Sequence, residues 1–250
     1  MTVIAKSDQC AALWQGVLAR VQAHMQALGA HPARTVVVVP YAQLMPWAQR
    51  YWALHQGDGF APRFETTRNW ARQLAAFVPQ GDDLAGDVAR DTLTARTLLD
   101  RAGLAAQRDV LAGPLQEAAT QLAAAVAAVA PAQREAWGVQ ARSLLPEADQ
   151  GSALRYEAVV ARIALEWVLA SRHATDVLFE RGVRQSVDAL VVLQGFQVEP
   201  MAQALQSHWG EKALALSLPL HLPPATTPAR GHIALHAAED AEDEAQRAAA

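Results

Sequence analysis

The stretch that decides the reading is DALVVLQGFQVEP, Asp188 to Pro200. Its run Ala189–Leu193 is continuously apolar, as a strand covered on both faces must be, and Pro200 then opens PMAQALQSHW at helical spacing. In many α/β enzymes that act on nucleoside triphosphates, such a strand ends in acids that hold magnesium. Gln194 and Gly195 stand there instead.

Working outward, TVVVVP at 35–40 is a second β-branched run, and YAQLMPWAQRYWALHQ after it resumes helical spacing. ALALSLPL at 213–220 and HIALHAAE at 232–239 read as further strands, with the Pro-rich loop HLPPATTPARG between them. The opening TVIAKS reads as a short strand and CAALWQGVLARVQAHMQAL, 10–28, as a helix ended by Gly29. In PRFETTRNWARQLAAF, Thr66 or Thr67 caps a helix carrying Trp70, Leu74 and Phe77. Between 82 and 187 no strand is visible. The segments 88–103, 107–130, 132–145 and 152–172 read as helices, with Pro114 interrupting the second or sitting at a first turn.

Alternating apolar strands and helices predict an α/β fold, a parallel sheet flanked by helices, with 82–187 as a large all-helical insertion. Residues 1–81 and 188–250 would form the α/β domain. EDAEDEAQRAAA starts a helix with acids in its first turn, where the helix dipole favours them. The sequence stops inside that helix, so a fragment of a longer protein is expected.

The chain of 250 residues carries a formal charge of −4, with 52% hydrophobic content. No global basic field draws in nucleic acid, although a local patch is compatible with these numbers. Lysine occurs only as Lys6 and Lys212, so phosphate contacts would fall to arginine. Cys10 is the sole cysteine and the N-terminus shows no secretory pattern, so a cytoplasmic location is expected. No apolar run reaches the roughly 18 residues of a membrane span.

A phosphate loop needs G-x-x-x-x-G-K-[ST]. Ala5-Lys6-Ser7 lacks both glycines, and Lys212 has no such loop around it. Gly57 and Gly59 form a turn before Pro62, not a dinucleotide cradle. His232 and His236 have no cysteine partners, and no G-x-S-x-G elbow occurs. Catalytic residues, cofactor and metal ligands are therefore expected to be absent. The seven tryptophans fall mostly at core spacing, with stacking of a base on an exposed ring as the sharper alternative. Arg50, Arg63, Arg68 and Arg72 gather after the strand 35–40, as a solvated face or as phosphate contacts.

LVVLQGFQVEPMAQALQSHW resembles the motif of active superfamily 1 helicases in which an acidic pair precedes F-Q-D and a proline-led helix. Phe196, Gln197, Pro200 and Gln203 match in order; Gln194, Gly195 and Val198 replace the acids. With TVVVVPYAQLMPWAQRYW, APRFETTRNWARQL (keeping Pro62, Arg63, Thr67 and Trp70) and HIALHAAEDAEDEAQRAAA, the order of motifs is similar to the AddB-like family. That family comprises partner subunits of bacterial double-strand-break helicase–nucleases, with an inactivated helicase as the N-terminal half. The resemblance implies a degenerate P-loop-NTPase-like fold and a DNA repair scaffold without ATPase activity. It implies an active, AddA-like helicase–nuclease subunit as partner, contact with single-stranded DNA, and a PD-(D/E)xK nuclease downstream in the full-length protein. The DNA contacts it points to are Arg50, Arg63, Arg68, Trp70 and Gln197. Tyr41, Ala42 and Gln43 depart from the Thr and Arg that often follow the strand-ending proline. Two other readings stand beside it: an α/β enzyme taking a nucleotide or small ligand at the strand carboxyl ends, and a helical adaptor whose working surface is 82–187.

Overall fold

The structure, a computed structural model, describes residues 2–56, 59–146, 154–195 and 199–218, with side chains from Cys10 onward. Its centre is a four-stranded, wholly parallel sheet of β1 (Thr35–Val38), β2 (Arg63–Glu65), β3 (Ala189–Gln194) and β4 (Ala213–Ser217), in the order β2-β1-β3-β4. The two β-branched stretches are neighbours: Thr35 to Val38 pair with Ala189 to Val192 in register. The α/β class and the parallel sheet follow directly.

Because side chains alternate across a strand, the two faces of the sheet separate cleanly. Val37, Val39, Val191 and Leu193 pack with Phe64 against α1 (Thr2–Leu28) and α2 (Leu44–Gln56), meeting Trp14, Leu18, Val21 and Trp52. Val36, Val38, Leu190 and Val192 face the opposite layer. There α3 (Thr67–Leu74) supplies Trp70, and α9 (Pro200–Trp209) supplies Leu205 and Trp209. Each wholly buried Leu or Val in these layers contributes about 1.5–3 kcal/mol of transfer free energy.

The segment 82–187 carries α4 (Val88–Arg101), α5 (Arg108–Ala127), α6 (Arg134–Ser143), α7 (Arg155–Ala170) and α8 (Arg181–Ser186). Helices α4, α5 and α7 enclose their own core, with Leu99, Leu115, Ala119, Ala164 and Val168 wholly buried. Polar locks position the connections. Asp91, fully buried, accepts the backbone N–H groups of Ala85 and Gly86, each at 2.8 Å. Asp83 accepts from the backbone and guanidinium of Arg172. The buried Arg134 guanidinium forms a two-pronged ion pair with Asp176 and also donates to Val126 O. Helix α5 meets α9 of the sandwich, and all these elements lie in one compact unit, Met1–Leu218.

Several expectations need correction. TVIAKS is the first turns of α1 and not a strand. Extending an existing helix needs no new nucleus, whereas a strand needs a partner and the sheet gives it none. Helix α3 ends at Leu74 and does not reach Phe77; Ala75 is extended. Helix α5 runs unbroken through Pro114. Strand β2 and helix α8 were not anticipated, being too short to show a period. The strand at 232–239, the Pro-rich loop 221–231 and the final helix lie outside the described residues. No described helix is long and apolar enough to cross a membrane.

Candidate functional site

The chain winds from β1 to β2 on one side, then returns to place β3 on the other side of β1. The strand order therefore switches between β1 and β3. In open parallel sheets the crevice outside the carboxyl ends of such a pair is where ligands bind.

Here that position is narrow. Beyond β1 come Pro40 and Tyr41; beyond β3 comes Gly195. A Cβ on Gly195 would stand 3.1 Å from Pro40 Cβ and 3.1 Å from both Cε2 and the hydroxyl oxygen of Tyr41. A carboxylate side chain does not fit at 195 without moving that ring. Gln194 is turned to the edge strand, its Oε1 accepting from the Ser217 hydroxyl at 3.2 Å, while its carbonyl accepts Leu218 N–H at 3.0 Å. The two residues at this strand end are thus a packed glycine and a cross-strand amide.

Beside this contact, α3 and α9 both begin. Thr66 caps α3, its hydroxyl accepting Asn69 N–H at 3.2 Å. The Thr67 hydroxyl donates to Glu199 Oε1 at 3.4 Å and so ties the two helix starts together. Burial holds the Glu199 carboxyl above its ordinary range, with the Thr67 hydrogen bond and the Arg68 charge pulling the other way. Arg68, in the first turn of α3, is exposed and makes no ion pair among the described residues. At the end of β2, the buried Glu65 accepts from Gln73 Nε2 at 2.6 Å through one oxygen, while the other has no hydrogen-bond partner.

The residues singled out from sequence are distributed unevenly. Gln194, Gly195 and Arg68 come to this edge. Arg63 sits two residues back on β2, half-buried, its Nε without a hydrogen-bond partner. Arg50 is exposed on α2, across the sheet from α3. Trp70 is wholly buried, its indole against Trp209 with ring centroids 5.7 Å apart, so it packs the core and offers no face to a base. Gln197 lies outside the described residues. Tyr41, Thr67 and Glu199 were not named as site residues. The one signal for Glu199 was its place directly before the helix-opening Pro200.

The lysines do not serve this edge. Lys6 lies within the long helix α1, not in a loop after a strand. Lys212 donates to the backbone oxygens of Arg184 and Val187. Among the described residues no three His, Cys, Asp or Glu side chains converge as a metal site. The start of α3, the Thr66 hydroxyl and the exposed Arg68 guanidinium suit an anion's oxygens, while the Thr67 proton is committed to Glu199.

Fold and edge together define a parallel α/β sandwich whose strand-order switch has the Tyr41 ring beside Gly195. Comparison of the chain with known protein families, with curated proteins and with solved structures returned no match.

Proposed function

We propose that this chain is a non-catalytic, helicase-derived scaffold: a degenerate P-loop-NTPase-like α/β domain, 1–81 with 188–250, interrupted by the helical insertion 82–187. It belongs to an AddB-like, DNA repair helicase–nuclease subunit, docks on an active motor subunit and holds single-stranded DNA by its phosphates. The observation that carries the reading is the neighbouring pair β1 and β3, whose switch point has Tyr41 packed where Gly195 replaces an acid. A strand pair of that topology, with position 195 crowded by Pro40 and Tyr41, supports reading the domain as a motor's framework without its reacting groups.

Arg68 is the phosphate contact at this edge, helped by the first-turn N–H groups of α3. The test uses the 250-residue chain with fluorescein-labelled dT20, read by anisotropy at two salt concentrations, and with ATP and magnesium, read by phosphate release. Expected are salt-sensitive binding, a several-fold loss of affinity in Arg68→Ala, and no DNA-stimulated turnover. DNA-stimulated ATP hydrolysis would overturn the reading, as would wild-type chain that ignores dT20 at low salt.

A further inference from the structure

The opposite face of the sandwich holds an arrangement that the switch point does not use. Three rings run from the core to the surface. Trp14 of α1, 5% exposed, lies 6.3 Å from Tyr51 of α2 at an interplanar angle of 15°. Tyr51 lies 6.2 Å from Trp47 at 23°, and Trp47 is 50% exposed. The planes are nearly parallel, and successive rings are offset outward. Helical geometry gives part of the reason: Trp47 and Tyr51 stand four residues apart on α2, on one face. The buried indole at the inner end fixes the orientation of the two rings beyond it.

The stretch of chain that carries this ladder has charges of one sign. From Cys10 to Gln56 the sequence contains no aspartate and no glutamate, while Arg20, Arg34 and Arg50 lie within it, in a chain whose net charge is −4. Arg34 is held by Asp188 at 3.0 Å. Arg20 and Arg50 are exposed and make no ion pair among the described residues. Arg50 follows Trp47 by three residues, on the same side of α2.

We infer that the outer face of α2 is a stacking platform for single-stranded nucleic acid, in which a base extends the Trp14–Tyr51–Trp47 ladder on Trp47 and Arg50 meets the adjoining phosphate. It rests on the single-strand reading above but places a second contact on the other side of the sheet. A preset ring loses little conformational freedom on binding, and every base has a face to offer it, so the platform is tolerant of sequence. The stretch from Cys10 to Gln56, which carries arginines and no acids, favours a polyanion over an acidic-and-basic protein surface.

The test compares wild type, Trp47→Ala, Trp47→Phe, Arg50→Ala and Arg68→Ala on labelled dT20 and on an abasic oligonucleotide of equal length. Circular dichroism of each variant checks the fold. Expected are about a tenfold loss in Trp47→Ala on dT20, substantial rescue in Trp47→Phe, and a shallower salt dependence in Arg50→Ala. The abasic strand should bind weakly and equally to wild type and Trp47→Ala. Unchanged dT20 affinity in Trp47→Ala, with loss in Arg68→Ala, overturns the platform and leaves the switch-point contact standing. Equal binding of dT20 and the abasic strand overturns stacking, since charge alone would then account for the affinity. Absence of binding by wild type overturns both readings.

Discussion

The sheet sandwich and the helical block 82–187 are held in different ways. In the sandwich, Val36, Val38, Leu190 and Val192 meet Trp70 and Trp209 across an apolar interface, and position follows from apolar shape. In the block, alanine-rich helices offer little shape of their own, and carboxylates fix the geometry: Asp91 at the start of α4, Asp83 on Arg172, Asp176 on Arg134. Removing bulk should hurt the first region, and removing charge the second. The difference matters for function because the sheet edge inherits its precision from the sandwich, while the block meets the sandwich through α5 against α9.

The largest effect should come from Leu190→Ala near the start of β3, which costs about 4 kcal/mol in urea denaturation by leaving a cavity between the sheet and α9. A loss below about 1 kcal/mol would show that the layers collapse to fill the gap, against rigid packing. Next, Arg134→Ala should cost about 3 kcal/mol, because Asp176 loses its two-pronged partner and Val126 O its donor. A cycle with Asp176→Ala separates the pair's coupling from lost packing. If Arg134→Ala costs nothing, the block is held by its alanines after all.

Gly195→Asp places an acid at the switch point and should cost about 2 kcal/mol through the contact with Pro40 and Tyr41. Tyr41→Ala in the same chain should recover part of that loss. Equal stability of Gly195→Asp and wild type would mean that the Tyr41 ring swings aside freely, and the closed edge would lose its meaning.

The smallest effect distinguishes the two regions by pH. Glu199, in the sandwich, has a folded-state pKa raised above its ordinary 4.5 by burial. Its contribution is fully present below 4.5 and is lost as pH rises through the raised value. His173, beside the Arg134–Asp176 pair, is pushed below its ordinary 6.5, first by burial and further by the Arg134 charge, against the hydrogen bond to Val168 O. Its contribution is present above 6.5 and is lost as pH falls through the lowered value. Thermal midpoints of wild type and Glu199→Gln from pH 4 to 8 should therefore diverge as pH rises, with the variant gaining. A gap independent of pH would mean that the carboxyl is solvated.

What could be read from residues alone was whatever repeats locally. The β-branched runs at 35–38 and 189–193 declared buried strands, and the 3.6-residue period of α2, α4, α7 and α9 declared helices, because burial on one face or two leaves its mark on adjacent residues. That Gln194 and Gly195, not acids, follow the apolar run of β3 was equally plain. Tertiary structure decided the rest. Only the order β2-β1-β3-β4 brought Tyr41 against Gly195 and joined Thr67 to Glu199, 132 residues away. It also reversed the roles of two tryptophans: Trp70 shares helical spacing with the other indoles but went fully inside, while Trp47 came out. Periodicity reports that a helix has an inner face; which neighbour covers that face, and how far the cover extends, depends on contacts between residues far apart in the chain.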